Sequence, residues 1–152
     1  MRTILKLFEH AGWANAALLD TLRGGRQPVN PKALRLFAHL LQAERVWLTR
    51  LQGQDSSPIP LWPDEPTTAF CAQAAERNRA DYAAFLAGLS EERLDEAIRY
   101  RNQSGTAEFE TSIRDILIHV ALHGQYHRGQ INAWLRAEGD EPAGIDYILF
   151  VR

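Results

Sequence analysis

Three features of the 152-residue sequence predict an all-α fold, a four-helix bundle with long crossover connections. Four segments place apolar side chains at a 3.6-residue period, most start at a capping residue, and long stretches separate the second, third and fourth. A single domain over residues 1–152 is expected, with one core serving its whole length.

The first helix is predicted over Thr3 to Arg23, with Ile4, Phe8, Ala11, Leu18 and Leu22 on one stripe, Asn15 among them and Gly24-Gly25 as its stop. Asn30-Pro31 offers a capping side chain followed by a residue preset for the first helical turn. The second helix is therefore placed at Pro31 to Gln52, its stripe running through Leu36, Phe37, Leu40, Ala43, Val46, Trp47 and Leu51. Residues Gly53 to Pro66 include Pro58, Pro60, Pro63 and Pro66, so this stretch reads as a stiff non-helical crossover.

Thr67 or Thr68 can cap a third helix, whose apolar side takes in Phe70, Ala74, Tyr82, Phe85 and Leu89. A short helical turn is placed at Glu91 to Asp95. Alternation in Ile98–Arg101 and Thr106–Phe109 around Asn102-Gln103-Ser104-Gly105 predicts a small hairpin or extended loop. Ser112 with Asp115 resembles a capping box, opening a fourth helix through Ile113, Ile116, Val120, Ile131 and Trp134 to Gly139. The tail Ile145–Val151 is too apolar for a free end and is expected to pack on the bundle or on a second subunit.

Composition narrows the function classes. With 45% apolar and 24% charged residues the chain is globular, and it needs no structural metal at this size. A metal bound here is therefore expected to be functional. Seventeen Lys and Arg against nineteen Asp and Glu give a charge of −2 without long single-sign runs, which argues against a nucleic-acid or anionic-membrane surface. One cysteine, Cys71, excludes an internal disulfide and a Cys-rich zinc site, and a cytoplasmic location is expected. Cys71 has mainly alanine neighbours and reads as structural. Lys6, Glu9 and His10 interrupt any signal-peptide core, and no stretch reaches 18 uncharged apolar residues. No Ser-His-Asp order, phosphate loop or dinucleotide fingerprint occurs.

His119, His123 and His127 stand four apart on the fourth helix; at this chain's own histidine frequency such a triplet is expected about 0.005 times, so chance is a poor explanation. Imidazoles at i and i+4 can direct nitrogens at one ion about 2.0–2.1 Å away, whereas His119 and His127 lie about 12 Å apart along the axis. The helix thus contributes either His119 with His123 or His123 with His127, and another helix must add a ligand. His39 sits on the inward stripe of the second helix and is the best source. His123 and His127 continue the stripe of the fourth helix while His119 turns toward its edge, which favours His39, His123 and His127. The bland alternative is that each buried imidazole bonds a carbonyl or carboxylate. His10, at the edge of the first helix's apolar side, is a weak addition. Trp13, Trp47 and Trp134 read as core, and Gly124 and Gly129 imply close helix approach or room for a ligand, since each costs about 1 kcal/mol in a helix.

His39 and the run His123-Gly124-Gln125-Tyr126-His127-Arg128-Gly129-Gln130-Ile131 resemble the DinB-like (DinB/YfiT) family of metal-dependent proteins. Trp13-Ala14-Asn15, Ala43-Glu44-Arg45-Val46-Trp47 and Asp146-Tyr147 follow in family order, so the resemblance covers nearly the whole chain. It implies a frequently dimeric four-helix bundle with long crossovers, and a divalent metal held by three histidines that correspond to His39, His123 and His127, with His119 outside the ligand set. Members of the wider superfamily use low-molecular-weight thiols, whereas many DinB-like members have no assigned reaction; the family name implies no DNA binding.

Three neutral imidazoles leave positions open for water or substrate, and nitrogen donors suit zinc, nickel, cobalt or iron. The leading expectation is metal-activated thiol transfer to a small electrophile, with metal-dependent hydrolysis as its nearest variant. The alternative is a metal- or ligand-binding bundle in a stress response. Glu44, Glu9 and Gln130 are the groups whose assistance the sequence leaves open. A homodimer is expected from the tail Tyr147–Val151 and the glycine-bearing face of the fourth helix.

Overall fold

The computed structural model describes residues 1–152. The protein is mostly helical, with a two-stranded antiparallel sheet, so the expectation of an all-α chain is corrected in that respect. Element order is α1 (Arg2–Gly24), α2 (Pro31–Leu51), α3 (Thr68–Ala87), a 3-10 turn (Glu92–Asp95), β1 (Ala97–Arg101), β2 (Glu108–Ser112), α4 (Ile113–Ala137) and a one-turn α5 (Tyr147–Phe150).

Local chemistry sets the helix ends. The Asn30 side chain accepts from the amides of Lys32 and Ala33, and the Thr67 hydroxyl accepts from Phe70 N. At α4 the Ser112 hydroxyl accepts from Asp115 N and donates to the Asp115 carboxylate, a variant of the expected box in which the acid bonds the hydroxyl. Gly139, at φ +81°, follows that helix in the left-handed region that suits glycine.

The sheet pairs Ile98 with Thr111 and Tyr100 with Phe109. Its second strand starts two residues later than the expected Thr106, because the Asn102 side chain accepts from the amides of Thr106 and Ala107 and holds them in the loop.

The long helices pack in a ring: α2 against α3 and α4, and α1 against α3 and α4. Their interior is not one continuous apolar core. One apolar cluster contains Leu18, Leu40, Ala74 and Ile131, and the other contains Ile4, Leu48, Tyr82 and Val120. Between these levels every long helix contributes a buried polar residue: Asn15, Glu44, Asn78 and Arg128. Arg128 Nη1 donates to Asn15 Oδ1 (2.7 Å), Asn15 donates to Glu44 Oε1 (3.0 Å), and Asn78 donates to Glu44 Oε2 (3.1 Å). The layer is hydrogen-bonded from helix to helix, which is what makes its burial tolerable.

Arg128 explains one glycine. A helical side chain leans over the turn before it, and a Cβ on Gly124 would meet the Arg128 guanidinium at 3.1 Å. Gly124 is therefore room for arginine. Gly129 has nothing within 4 Å and is exposed, so neither close helix approach nor a ligand within this chain accounts for it.

The tail divides. Ala143 and Ile145 are buried, and Asn132 brackets Ala143 with two hydrogen bonds. Phe150 packs beside Trp13, but Ile148, Leu149 and Val151 remain exposed. Trp134 is exposed as well, whereas Trp13 and Trp47 are half-buried and pack against the first and second apolar clusters, so the expectation of core tryptophans fails only at Trp134.

Candidate metal centre

α2 and α4 bring His39, His123 and His127 together, with one potential ligand nitrogen from each all within 4.8 Å of one another. The one-turn spacing puts the rings of His123 and His127 with centres 4.3 Å apart, and the His39 ring stands nearly perpendicular to that of His127 at 5.1 Å.

Two of the three outer nitrogens, those of His39 and His127, have an anchor. His39 Nδ1 donates to the carbonyl of Leu61 (2.9 Å), which leaves Nε2 free, and the Trp62 ring stacks on this imidazole at 3.8 Å. His127 Nδ1 donates to Gln130 Oε1 (2.7 Å), while Gln130 Nε2 donates to the Tyr126 hydroxyl and so fixes which end of the amide faces the ring. His127 Nε2 then presents a lone pair to His123 Nε2 at 3.0 Å, a pair that can share one proton or face one cation. Anchoring of the far ring nitrogen by a carbonyl or amide oxygen is the usual arrangement for a metal-binding histidine. Four-coordinate zinc at about 2.05 Å sets ligand nitrogens roughly 3.3 Å apart, near the 3.0 Å between His123 and His127, with the His39 nitrogen within 4.8 Å of both.

Two of the imidazoles, His39 and His123, resist protonation. Burial, followed by the neighbouring His127, His119 and His39, pulls His123 down to about 4. His39 is lowered by burial against the opposing effect of its Leu61 hydrogen bond. Neutral rings at neutral pH are the form that ligates.

The other sequence candidates lie elsewhere. His119 packs against Trp47 and is outside the group of three. His10 Nε2 bonds the carbonyl of Ile145 (2.9 Å) and its ring meets Tyr147 and Phe150, so it secures the tail. Glu44 is tied to Asn15 and Asn78 in the polar layer, and burial raises its pKa. Glu9 borders a mostly apolar cavity of about 680 Å³ between α1 and α3, which includes none of the three histidines. Gln130 alone assists, through His127. Cys71 is fully buried, and burial pushes its thiol up to about 12, so it is not a nucleophile.

Sequence reasoning missed Leu61 and Trp62, because a carbonyl and an aromatic in an aperiodic proline-rich segment carry no spacing signal. A cavity of about 350 Å³ opens beside His39 and His123, walled by Trp47, Leu61, Tyr100 and Phe109.

The family model described as the DinB family matches residues 2–152. The chain belongs to the DinB family. Protein DinB of Bacillus subtilis (strain 168) is 28% identical over 161 residues, covering 96% of this chain and 92% of that protein. The crystal structure of a DinB-like protein from Bacillus cereus ATCC 10987 superposes with a TM-score of 0.66 at 18% identity, over 96% of this chain and 97% of that one. At that identity the likeness speaks for the DinB fold alone. No helix is long and apolar enough to cross a membrane.

Proposed function

We propose that the chain is a metalloenzyme of the four-helix-bundle type that holds one divalent ion through His39, His123 and His127. The observation that carries this reading is the convergence of three imidazoles, two of which, His39 and His127, have their outer nitrogens anchored on Leu61 and Gln130. Zinc, nickel, cobalt and iron all suit such donors. When bound, the ion supplies Lewis acidity at an open coordination position beside the cavity.

Thiol transfer to a small electrophile is favoured over hydrolysis. The acid nearest in sequence to His39, Glu44, is buried and committed to Asn15 and Asn78, so the cluster has no carboxylate base with which to activate water. A low-molecular-weight thiol brings its own nucleophile: its S–H loses a proton to solvent, sulfur bonds to the electrophilic carbon, and the leaving group departs and takes up a proton. A reducing cytoplasm suits such a cosubstrate.

Element analysis after chelator-free purification and reconstitution is expected to give one ion per chain. His39→Ala, His123→Ala and His127→Ala are expected to lose it while staying helical, and His119→Ala to keep it. Zero stoichiometry with every candidate ion overturns the reading. A loaded chain inert toward electrophiles with a panel of thiols leaves a binding bundle in a stress response as the function.

We also propose a homodimer. Ile118, Leu122 and Tyr126 form an exposed stripe at one-turn spacing on α4, and Ile148, Leu149 and Val151 are exposed on the tail. Sedimentation at micromolar concentration is expected to return a dimer, and Leu122→Glu a monomer.

A further inference from the structure

Arg50 lies at the end of α2 and borders the cavity that also contains His39 and His123. Only 8% of it is exposed, yet it has no carboxylate partner. Unpaired arginines elsewhere in the chain are not buried, and Arg128 is the one other buried arginine. Arg45, Arg79, Arg93, Arg99 and Arg114, all more exposed, each pair with an Asp or Glu, and Arg128 reaches Glu44 through Asn15. Asp55, five residues on, has both carboxylate oxygens engaged by Ser57.

The guanidinium is held but not neutralised. Nε donates to Ser56 Oγ (3.1 Å), and Nη2 makes a long contact with Gln103 Oε1 (3.4 Å). The rings of Trp47 and Tyr100 approach its central carbon at 4.7 and 5.0 Å. These contacts fix the orientation and support the cation through the ring faces. Nη1 has no protein acceptor, and it is not sealed off, since the one fully enclosed side-chain polar atom without a partner is Asn78 Oδ1. Burial lowers the Arg50 pKa, with Tyr100 opposing, but an arginine stays charged at neutral pH.

A buried cation with a free N–H edge, in one cavity with His39 and His123 and walled by aromatic rings, is complementary to one kind of small molecule. We propose that the substrate or cosubstrate of the metal site is an organic carboxylate with an apolar or aromatic body, its carboxylate held by Arg50 and its reactive end turned toward His39 and His123. This rests on the metal-site reading for the direction in which the ligand points, but the carboxylate subsite itself does not need the ion. A carboxylate is favoured over a phosphate because Arg50 is the one cation lining this cavity, whereas Arg99 and Arg101 line the adjoining polar cavity that Arg50 also borders. Trp47, Tyr100 and Phe109 supply the apolar contacts, and Arg50 supplies selection by charge.

The test uses the full chain without metal and probes of one shape: benzoate, phenyl phosphate, and the neutral benzamide. Binding is read by calorimetry and by the shift of the Trp47 indole N–H resonance. Benzoate is expected to bind at least tenfold more tightly than benzamide, and Arg50→Gln to abolish that preference while leaving benzamide unchanged. Arg50→Lys is expected to restore part of it. Equal binding of benzoate and benzamide to the wild-type chain overturns the proposal without any variant. Tighter binding of phenyl phosphate than benzoate overturns the choice of carboxylate. Benzoate binding that needs added zinc and survives Arg50→Gln also overturns it, because the anion is then held by the ion. If zinc fails to bind while the Arg50-dependent preference persists, the metal reading fails and the carboxylate subsite stands.

Discussion

α2 and α4 share two polar clusters that obey opposite rules. In the inner one, Arg128, Asn15, Glu44 and Asn78 are all nearly or fully buried and hydrogen-bonded in a chain across four helices, with Asn78 Oδ1 the one atom left without a partner. In the outer one, His39 and His127 bond outward to Leu61 and Gln130, and a nitrogen of each of His39, His123 and His127 is left within reach of a common point. The inner cluster spends nearly all its hydrogen bonds on joining the helices and serves the fold. The outer one keeps donor atoms uncommitted, and uncommitted donors are what a site requires. Residue type alone would have suggested the reverse, since Glu44 and Arg128 are the charged pair.

Removing a member of each cluster should separate them most sharply. Arg128→Ala leaves Glu44 buried without its cation and is expected to cost about 3–5 kcal/mol, read from urea unfolding midpoints. Glu44→Gln added to it should recover part of that loss, because the orphaned charge is then gone. His127→Ala in metal-free protein is expected to change stability by less than about 1 kcal/mol, as it removes a ring that depresses its neighbour. Similar losses for Arg128→Ala and His127→Ala would erase the distinction between a structural and a functional cluster.

Acid should act on the outer cluster in a defined window. A base whose folded pKa lies below its unfolded value adds stability above the unfolded value, near 6.5, and loses it as pH falls toward the folded one. His123 sits at about 4, so the metal-free chain is expected to lose stability from its histidines as pH drops from about 6.5 to 4. After allowance for solvent screening of a half-buried ring, the contribution of His123 is on the order of 1–2 kcal/mol. Unfolding at pH 7.5 and 4.5 should show a smaller drop for His123→Ala than for the wild type. Parallel drops would mean that the ring is not desolvated in the folded chain.

Much of this architecture can be read from spacing. Asn30-Pro31, Thr67 and Ser112 mark three helix starts, and one-turn spacing of His123 and His127 with His39 inward on α2 identifies the group of three that the fold assembles. Other features have no periodic signature. On α3 the buried face runs through Cys71, Ala74, Asn78, Tyr82 and Leu86 rather than through Phe70 and Phe85, because the polar layer demands Asn78 there. The same layer breaks the expected single core in two, and Arg128, which looks like a surface residue of a histidine motif, is fully buried. Its signal was local: a glycine four residues before a long cation, at the spot that cation covers.

That pairing yields the smallest effect and the finest test. Gly124 and Gly129 both interrupt α4, and helix propensity alone predicts that alanine at either stabilises the chain by about 1 kcal/mol. Gly129 is exposed with open space around it, so Gly129→Ala is expected to show about 0.5–1 kcal/mol of added stability. At Gly124 a new Cβ meets Arg128 Nη1 at 3.1 Å and Nη2 at 3.3 Å, and the guanidinium is held by a 2.7 Å bond to Asn15. Shifting it weakens the bridge to Glu44, so the propensity gain is reversed and Gly124→Ala is expected to destabilise by about 1 kcal/mol or more. Opposite signs in urea unfolding at one concentration would establish that the inner cluster is rigid. If both substitutions stabilise, Arg128 has room to move, and the contrast between a closed structural layer and an open site loses its mechanical basis.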